Sequence, residues 1–166
     1  MEQDCSVTEG EVWTEDAAII YTGPEKEADL TWDREIDVKG NLLMPGFKDA
    51  HTHSAMTFLR SRADDMPLHE WLENQVFPLE ARLTAEHVYH LSKLAIMEYL
   101  TSGITSNFDM YFYPEAIARA SVDCGFRTVL VSPITSFSGS TVEEMEEDYH
   151  KFNQYHELIR YHLGFH

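Results

Sequence analysis

The chain has 166 residues, 43% of them hydrophobic, which suffices for one ordinary domain with a real core and argues against a disordered tail. Twelve Lys and Arg stand against twenty-nine Asp and Glu, and the formal charge of -17 repels phosphate backbones and anionic membranes, so neither nucleic acid nor a membrane is an expected partner. Cys5 and Cys124 lie in no zinc-knot or disulfide spacing, and no secretory segment or long apolar span is present, which together predict a soluble, cytoplasmic protein.

The first forty-odd residues read as short strands. Residues 11–13 and 17–21 are β-rich runs followed by the turn signal Thr22-Gly23-Pro24. Residues 35–38 alternate, Lys39-Gly40-Asn41 turns, and residues 42–44 resume. The pattern predicts a small β-meander, which needs partner strands to be stable. A boundary near Pro45 separates segment 1–44 from segment 45–166.

The run from Met44-Pro45-Gly46 to His51-Thr52-His53 ends in two histidines one residue apart. On a strand, side chains at i and i+2 share a face, so both imidazoles can reach one point, an arrangement suited to zinc. A bare His-x-His is also compatible with two surface histidines on a half-exposed strand. The flanks favour ligand delivery: Pro45-Gly46 breaks from what precedes, and Ser54 and Thr57 begin a small, polar loop.

Helices then alternate with short apolar runs. Residues 67–76 predict a helix with Leu68, Trp71, Leu72 and Val76 along one side, closed by Pro78. Thr84 is the N-cap of a long helix with Val88, Leu91, Ala95 and Tyr99 on one stripe, ended by Gly103. Residues 104–109 read as a strand, Pro114 opens a helix that Gly125 stops, and residues 127–132 form a nearly continuous apolar strand. Thr141-Val142-Glu143-Glu144 is a capping box whose helix carries a solvated acidic face near Glu147, and residues 161–166 predict a fourth strand. The fold class is α/β, in parallel βαβ units. Parallel βα strands present functional groups at their C-terminal ends, so His51, His53, Asp109, Ser132 and His166 are expected at one rim.

Leu43-Met44-Pro45-Gly46-Phe47 through His51-Thr52-His53, Glu70-Trp71-Leu72, the run Pro78 to Thr84, and Phe108-Asp109-Met110-Tyr111 together resemble the amidohydrolase superfamily. Within it the chain is similar to the 5-methylthioadenosine/S-adenosylhomocysteine deaminases and their chlorohydrolase-like relatives. The resemblance implies the N-terminal half of a metal-dependent (β/α)8 barrel, with residues 1–44 as part of a small β-sandwich. It implies that His51 and His53 bind a divalent metal, zinc by expectation. It also implies that Glu80 contacts ribose hydroxyls and that His166 faces the substrate without ligating metal. Read from the residues alone, Glu80 is an ordinary loop acid. Trp71 is either a wall of the base pocket or a core tryptophan.

The implied activity is hydrolytic deamination. A divalent ion lowers the pKa of its water to about 7, the hydroxide attacks a ring carbon such as C6 of adenine, and ammonia leaves. The expected partner is a small-molecule substrate such as a purine nucleoside, and a homo-oligomer is left open. Where the family's nucleoside deaminases often carry an arginine near the end of the third strand, this chain has Ser132-Pro133, which leaves the exact substrate open. The family's other ligands, a fifth-strand histidine and an eighth-strand aspartate, and its proton-shuttling glutamate and a further histidine, would lie beyond His166. Since such barrels run to about 250 residues, the chain is expected to be the first part of a longer enzyme. The alternatives are an amidohydrolase acting on a guanine-like base or a triazine, and an inactive fragment.

Overall fold

The computed structural model describes residues 7–62, 65–131, 133–134 and 141–165. The chain divides into two compact units, Met1–Pro45 and Gly46–His166.

In the first unit, β1 (Glu11–Glu15) and β2 (Ala18–Gly23) pair antiparallel, with an irregularity between Trp13 and Thr14. Asp16 takes a positive φ of 51° in the connecting turn, a conformation that Asp tolerates better than most residues. Trp13 faces Tyr21 across the pair with ring centroids 4.5 Å apart, and Trp32 packs 5.0 Å from Trp13. The Lys26 ammonium lies 3.8 Å from the Tyr21 ring, so a cation–π contact closes this small aromatic cluster. The remaining strands of the expected meander do not form: residues 35–38 and 42–44 adopt no regular structure. Their backbones have no neighbouring strand to pair with, and Ile36, Val38, Leu42 and Leu43 stay exposed.

The second unit is built on a parallel sheet in the order β3 (Phe47–Thr52), β4 (Ile104–Met110), β5 (Arg127–Val131), β7 (Ile159–Tyr161). The crossover helices are α3 (Ala85–Thr101), α4 (Pro114–Asp123) and α5 (Val142–Phe152). Thr84 caps α3 reciprocally with His87, and Gly103 at φ 78° takes the chain out of that helix. Thr141 and Glu144 cap α5 in the same way, and the acids Glu143, Glu146 and Glu147 are solvated. The core joins Val88, Ala116, Ile117, Leu130, Phe152, Ile159 and Tyr161, with Phe152 stacked on Tyr161 at 5.8 Å. A second cluster places Ile96 and Ala120 around Phe126. At the start of β3, a Cβ on Gly46 would lie 2.2 Å from Thr105 Cγ2, so only glycine permits this approach to β4.

Two expectations are corrected here. Pro78 does not close the helix begun at Pro67: α1 (Leu68–Trp71) passes through a π turn at Leu72–Val76 into α2 (Phe77–Glu80). The Phe77 amide donates to the Leu72 carbonyl five residues back, and this wider turn accommodates a proline that lacks an N–H and would strike a normal helical carbonyl. The fourth strand begins at Ile159 rather than at residue 161, because Ile159 and Tyr161 turn inward while Arg160 stays exposed, and their pairing follows Thr128 to Leu130. Residues 164–165 instead pair with β6 (Pro133–Ile134) as β8 (Gly164–Phe165). Among the described residues no helix is long and apolar enough to cross a membrane.

Candidate metal centre

His51 lies in β3 and His53 one residue past its end, at the start of a 3-10 turn over Ser54–Leu59. Their rings converge, with Nε2 to Nε2 at 3.2 Å. His53 Nδ1 lies 2.7 Å from the Met110 carbonyl oxygen. A carbonyl only accepts, so Nδ1 carries the proton and the neutral ring presents its lone pair at Nε2, toward His51. Two bonds of about 2.1 Å meeting at a tetrahedral angle set ligand nitrogens about 3.4 Å apart, so the spacing fits a shared zinc ion. The bond to a main-chain carbonyl is the usual support for a metal-binding imidazole. Among the described residues no group of three or more His, Cys, Asp or Glu side chains gathers around one point.

Beneath the pair runs a buried polar network. Asn107 Nδ2 donates to Thr52 Oγ1 at 2.9 Å and to Ser54 Oγ at 3.1 Å, and Ser54 Oγ lies 3.0 Å from the Tyr99 hydroxyl. The Ser54 amide donates to Asp109 Oδ1 at 3.0 Å. Asp109 is 1% exposed, and its carboxylate sits under the turn after His53 instead of opening on the rim as its position at a strand end predicts. Burial pushes its carboxyl above the usual range, against the Ser54 hydrogen bonds and the nearby His53.

Glu80 ends α2, half-buried, and its Oε1 accepts from the Tyr111 hydroxyl at 2.7 Å. Burial lifts the Glu80 carboxyl above its ordinary range, and the Tyr111 hydrogen bond and the neighbouring His53 offset this only in part. Burial raises the Tyr111 phenol too, and the Glu80 hydrogen bond adds to it, which keeps the hydroxyl a donor. Trp71 is half-buried and lines a cavity of about 360 Å³ together with His53, Met56, Leu59 and Tyr99. His53, Trp71 and Glu80 are thus all within the second unit. Ser132 and His166 lie outside the described residues. Sequence reasoning gave Tyr111 no role, and no spacing signal links it to Glu80, 31 residues away.

Parallel strands alternating with helices, with paired imidazoles at the C-terminal end of β3, one in the strand and one just past it, define a segment of a βα barrel that carries its polar groups at the strands' C-terminal ends. Residues 42–165 match the amidohydrolase family, and the chain belongs to it. It is 42% identical over 150 residues to a 5-methylthioadenosine/S-adenosylhomocysteine deaminase of Symbiobacterium thermophilum, a match covering 87% of this chain and 34% of the relative. It is also 42% identical over 146 residues to a 5'-deoxyadenosine deaminase of Methanospirillum hungatei, covering 84% of this chain and 32% of the relative. The chain therefore spans about a third of the length of the curated relatives it matches. Among solved structures, a variant of atrazine chlorohydrolase from Arthrobacter aurescens, in complex with zinc and atraton, aligns with a TM-score of 0.76. That alignment covers 93% of this chain and 41% of the other at 19% identity, a likeness of fold.

Proposed function

We propose that the protein belongs to a metal-dependent deaminase of adenosine-type nucleosides, such as 5'-methylthioadenosine, S-adenosylhomocysteine, 5'-deoxyadenosine or adenosine. The observation that carries this reading is 42% identity to relatives named for deaminating such nucleosides, joined to a histidine pair whose nitrogens converge at 3.2 Å.

In this reading His51 and His53 hold the divalent ion, zinc by preference for two imidazoles. When bound, the ion lowers the pKa of its water to about 7 and so supplies a nucleophile at neutral pH. His53 is kept in the ligating tautomer by the Met110 carbonyl, and Asp109 fixes the turn that follows it. Glu80 accepts hydrogen bonds from the sugar hydroxyls, and Trp71 walls the cavity beside His53. The atrazine chlorohydrolase likeness, at 19% identity, adds no substrate to this reading.

The test is ammonia release by the full-length product of the gene, with zinc added and with zinc chelated, from each of these nucleosides beside guanine and a triazine. The expected outcome is zinc-dependent turnover with kcat/KM for an adenosine-type nucleoside at least about tenfold above the others, a difference of roughly 1.4 kcal/mol in transition-state binding. Preference for guanine or the triazine would overturn the reading.

A further inference from the structure

The end of β4 does more than border the site. Three consecutive residues there each secure a different part of it: Asp109 Oδ1 takes the Ser54 amide at 3.0 Å, the Met110 carbonyl takes His53 Nδ1 at 2.7 Å, and the Tyr111 hydroxyl gives its proton to Glu80 Oε1 at 2.7 Å. The last of these contacts has a property the other two lack. It ends on a half-buried carboxylate outside the histidine pair.

We infer that Tyr111 is the positioning residue that sets specificity for a vicinal sugar diol, its hydroxyl locking the Glu80 carboxylate in the orientation that reads two ribose hydroxyls. The inference rests on the deaminase reading above and deepens it. Tyr111 is 9% exposed, and its ring belongs to the core cluster with Val88, Ile117, Leu130 and Phe152. Packing therefore fixes both side-chain torsions, and the hydroxyl is delivered from a rigid base. Glu80, by contrast, is a long side chain at the end of a four-residue helix, with several rotatable bonds to restrain. A carboxylate has about four lone-pair sites, and one hydrogen bond to Tyr111 leaves about three, enough for the two hydroxyls of a diol. The same donor offsets part of the burial that raises the Glu80 carboxyl, and so works toward the charged form that accepts without competing protons.

The experiment compares Tyr111→Phe, Glu80→Gln, Glu80→Asp and the Tyr111→Phe/Glu80→Gln pair in the full-length product. The substrates are 5'-deoxyadenosine and an adenine nucleoside lacking both the 2'- and 3'-hydroxyls. Tyr111→Phe keeps the ring and removes only the donor. It is expected to raise KM for the diol-bearing nucleoside by about tenfold, the size of a lost hydrogen bond to a charged group, with kcat within about twofold. The diol-free nucleoside is expected to be unaffected. The double variant is expected to lose no more than Glu80→Gln alone, since both changes break one interaction. A smaller folded fraction would lower apparent kcat and leave KM in place, so instability does not mimic this result. Glu80→Asp, which draws the carboxylate back from Tyr111, is expected to show the same diol-selective rise even should Tyr111→Phe not fold.

Equal losses on the two nucleosides in Tyr111→Phe, or additive losses in the double variant, would overturn the role of Tyr111. If Glu80→Gln itself fails to separate the two nucleosides, the sugar-reading role of Glu80 falls, and the Tyr111 role with it. If Glu80→Gln separates them and Tyr111→Phe does not, only the inference about Tyr111 fails.

Discussion

The two units have similar raw material and different outcomes. Residues 35–44 carry Ile36, Val38, Leu42, Leu43 and Met44 in a pattern that suits strands, as do residues 127–131 and 159–161. In the first unit these side chains stay in solvent, with Ile36 68% exposed. In the second, Leu130, Ile159 and Tyr161 are almost fully buried, because crossover helices carry each strand back beside its neighbour and cover its face. An alternating pattern states which face of a strand is apolar. Whether that face finds anything to cover it depends on the connections.

Substitutions that sample both units sharpen the contrast. Phe152→Ala removes a buried ring stacked on Tyr161 and is expected to cost about 3–5 kcal/mol, read as a lower urea midpoint by far-UV circular dichroism. A cost below about 1 kcal/mol would erase the distinction. Next comes Gly46→Ala, whose new methyl would meet Thr105 at 2.2 Å; overpacking of this kind typically costs about 1–3 kcal/mol. A partial recovery in Gly46→Ala/Thr105→Ala would show that the clash with that side chain is the cause. The smallest effect is expected from Ile36→Ser, within about 0.5 kcal/mol, since the side chain is largely in water already. A loss well above that in the same melts would mean that residue 36 packs against a partner in solution.

The sequence made the parallel part of the fold legible because its signals are local and redundant. Thr84 and Thr141 each begin a helix with a capping partner three residues on, and Gly103 and Gly125 each end one at positive φ. The convergence of His51 and His53 was legible too, although for a reason that needed amending. His53 has already left the strand, and its ring is turned toward His51 by the Met110 carbonyl rather than by strand alternation alone. Pro78 misled because a π turn is invisible to a 3.6-residue period. The Tyr111–Glu80 contact was not legible: it joins a strand end to a helix end through tertiary packing, and although each residue lies in a run that carries the family resemblance, no spacing links one run to the other.

The hold on His53 comes from the main chain, at a carbonyl whose own side chain takes no part in the bond. A scan that replaces Met110 with every other amino acid would therefore pass over it, since each variant keeps the same oxygen. The contact becomes visible only to chemistry that edits the backbone. A semisynthetic protein with an ester in place of the amide between Met110 and Tyr111 would present a weaker acceptor to His53 while leaving every side chain intact. Drift at position 110 among descendants of this sequence therefore says nothing about whether the imidazole beside it is still held.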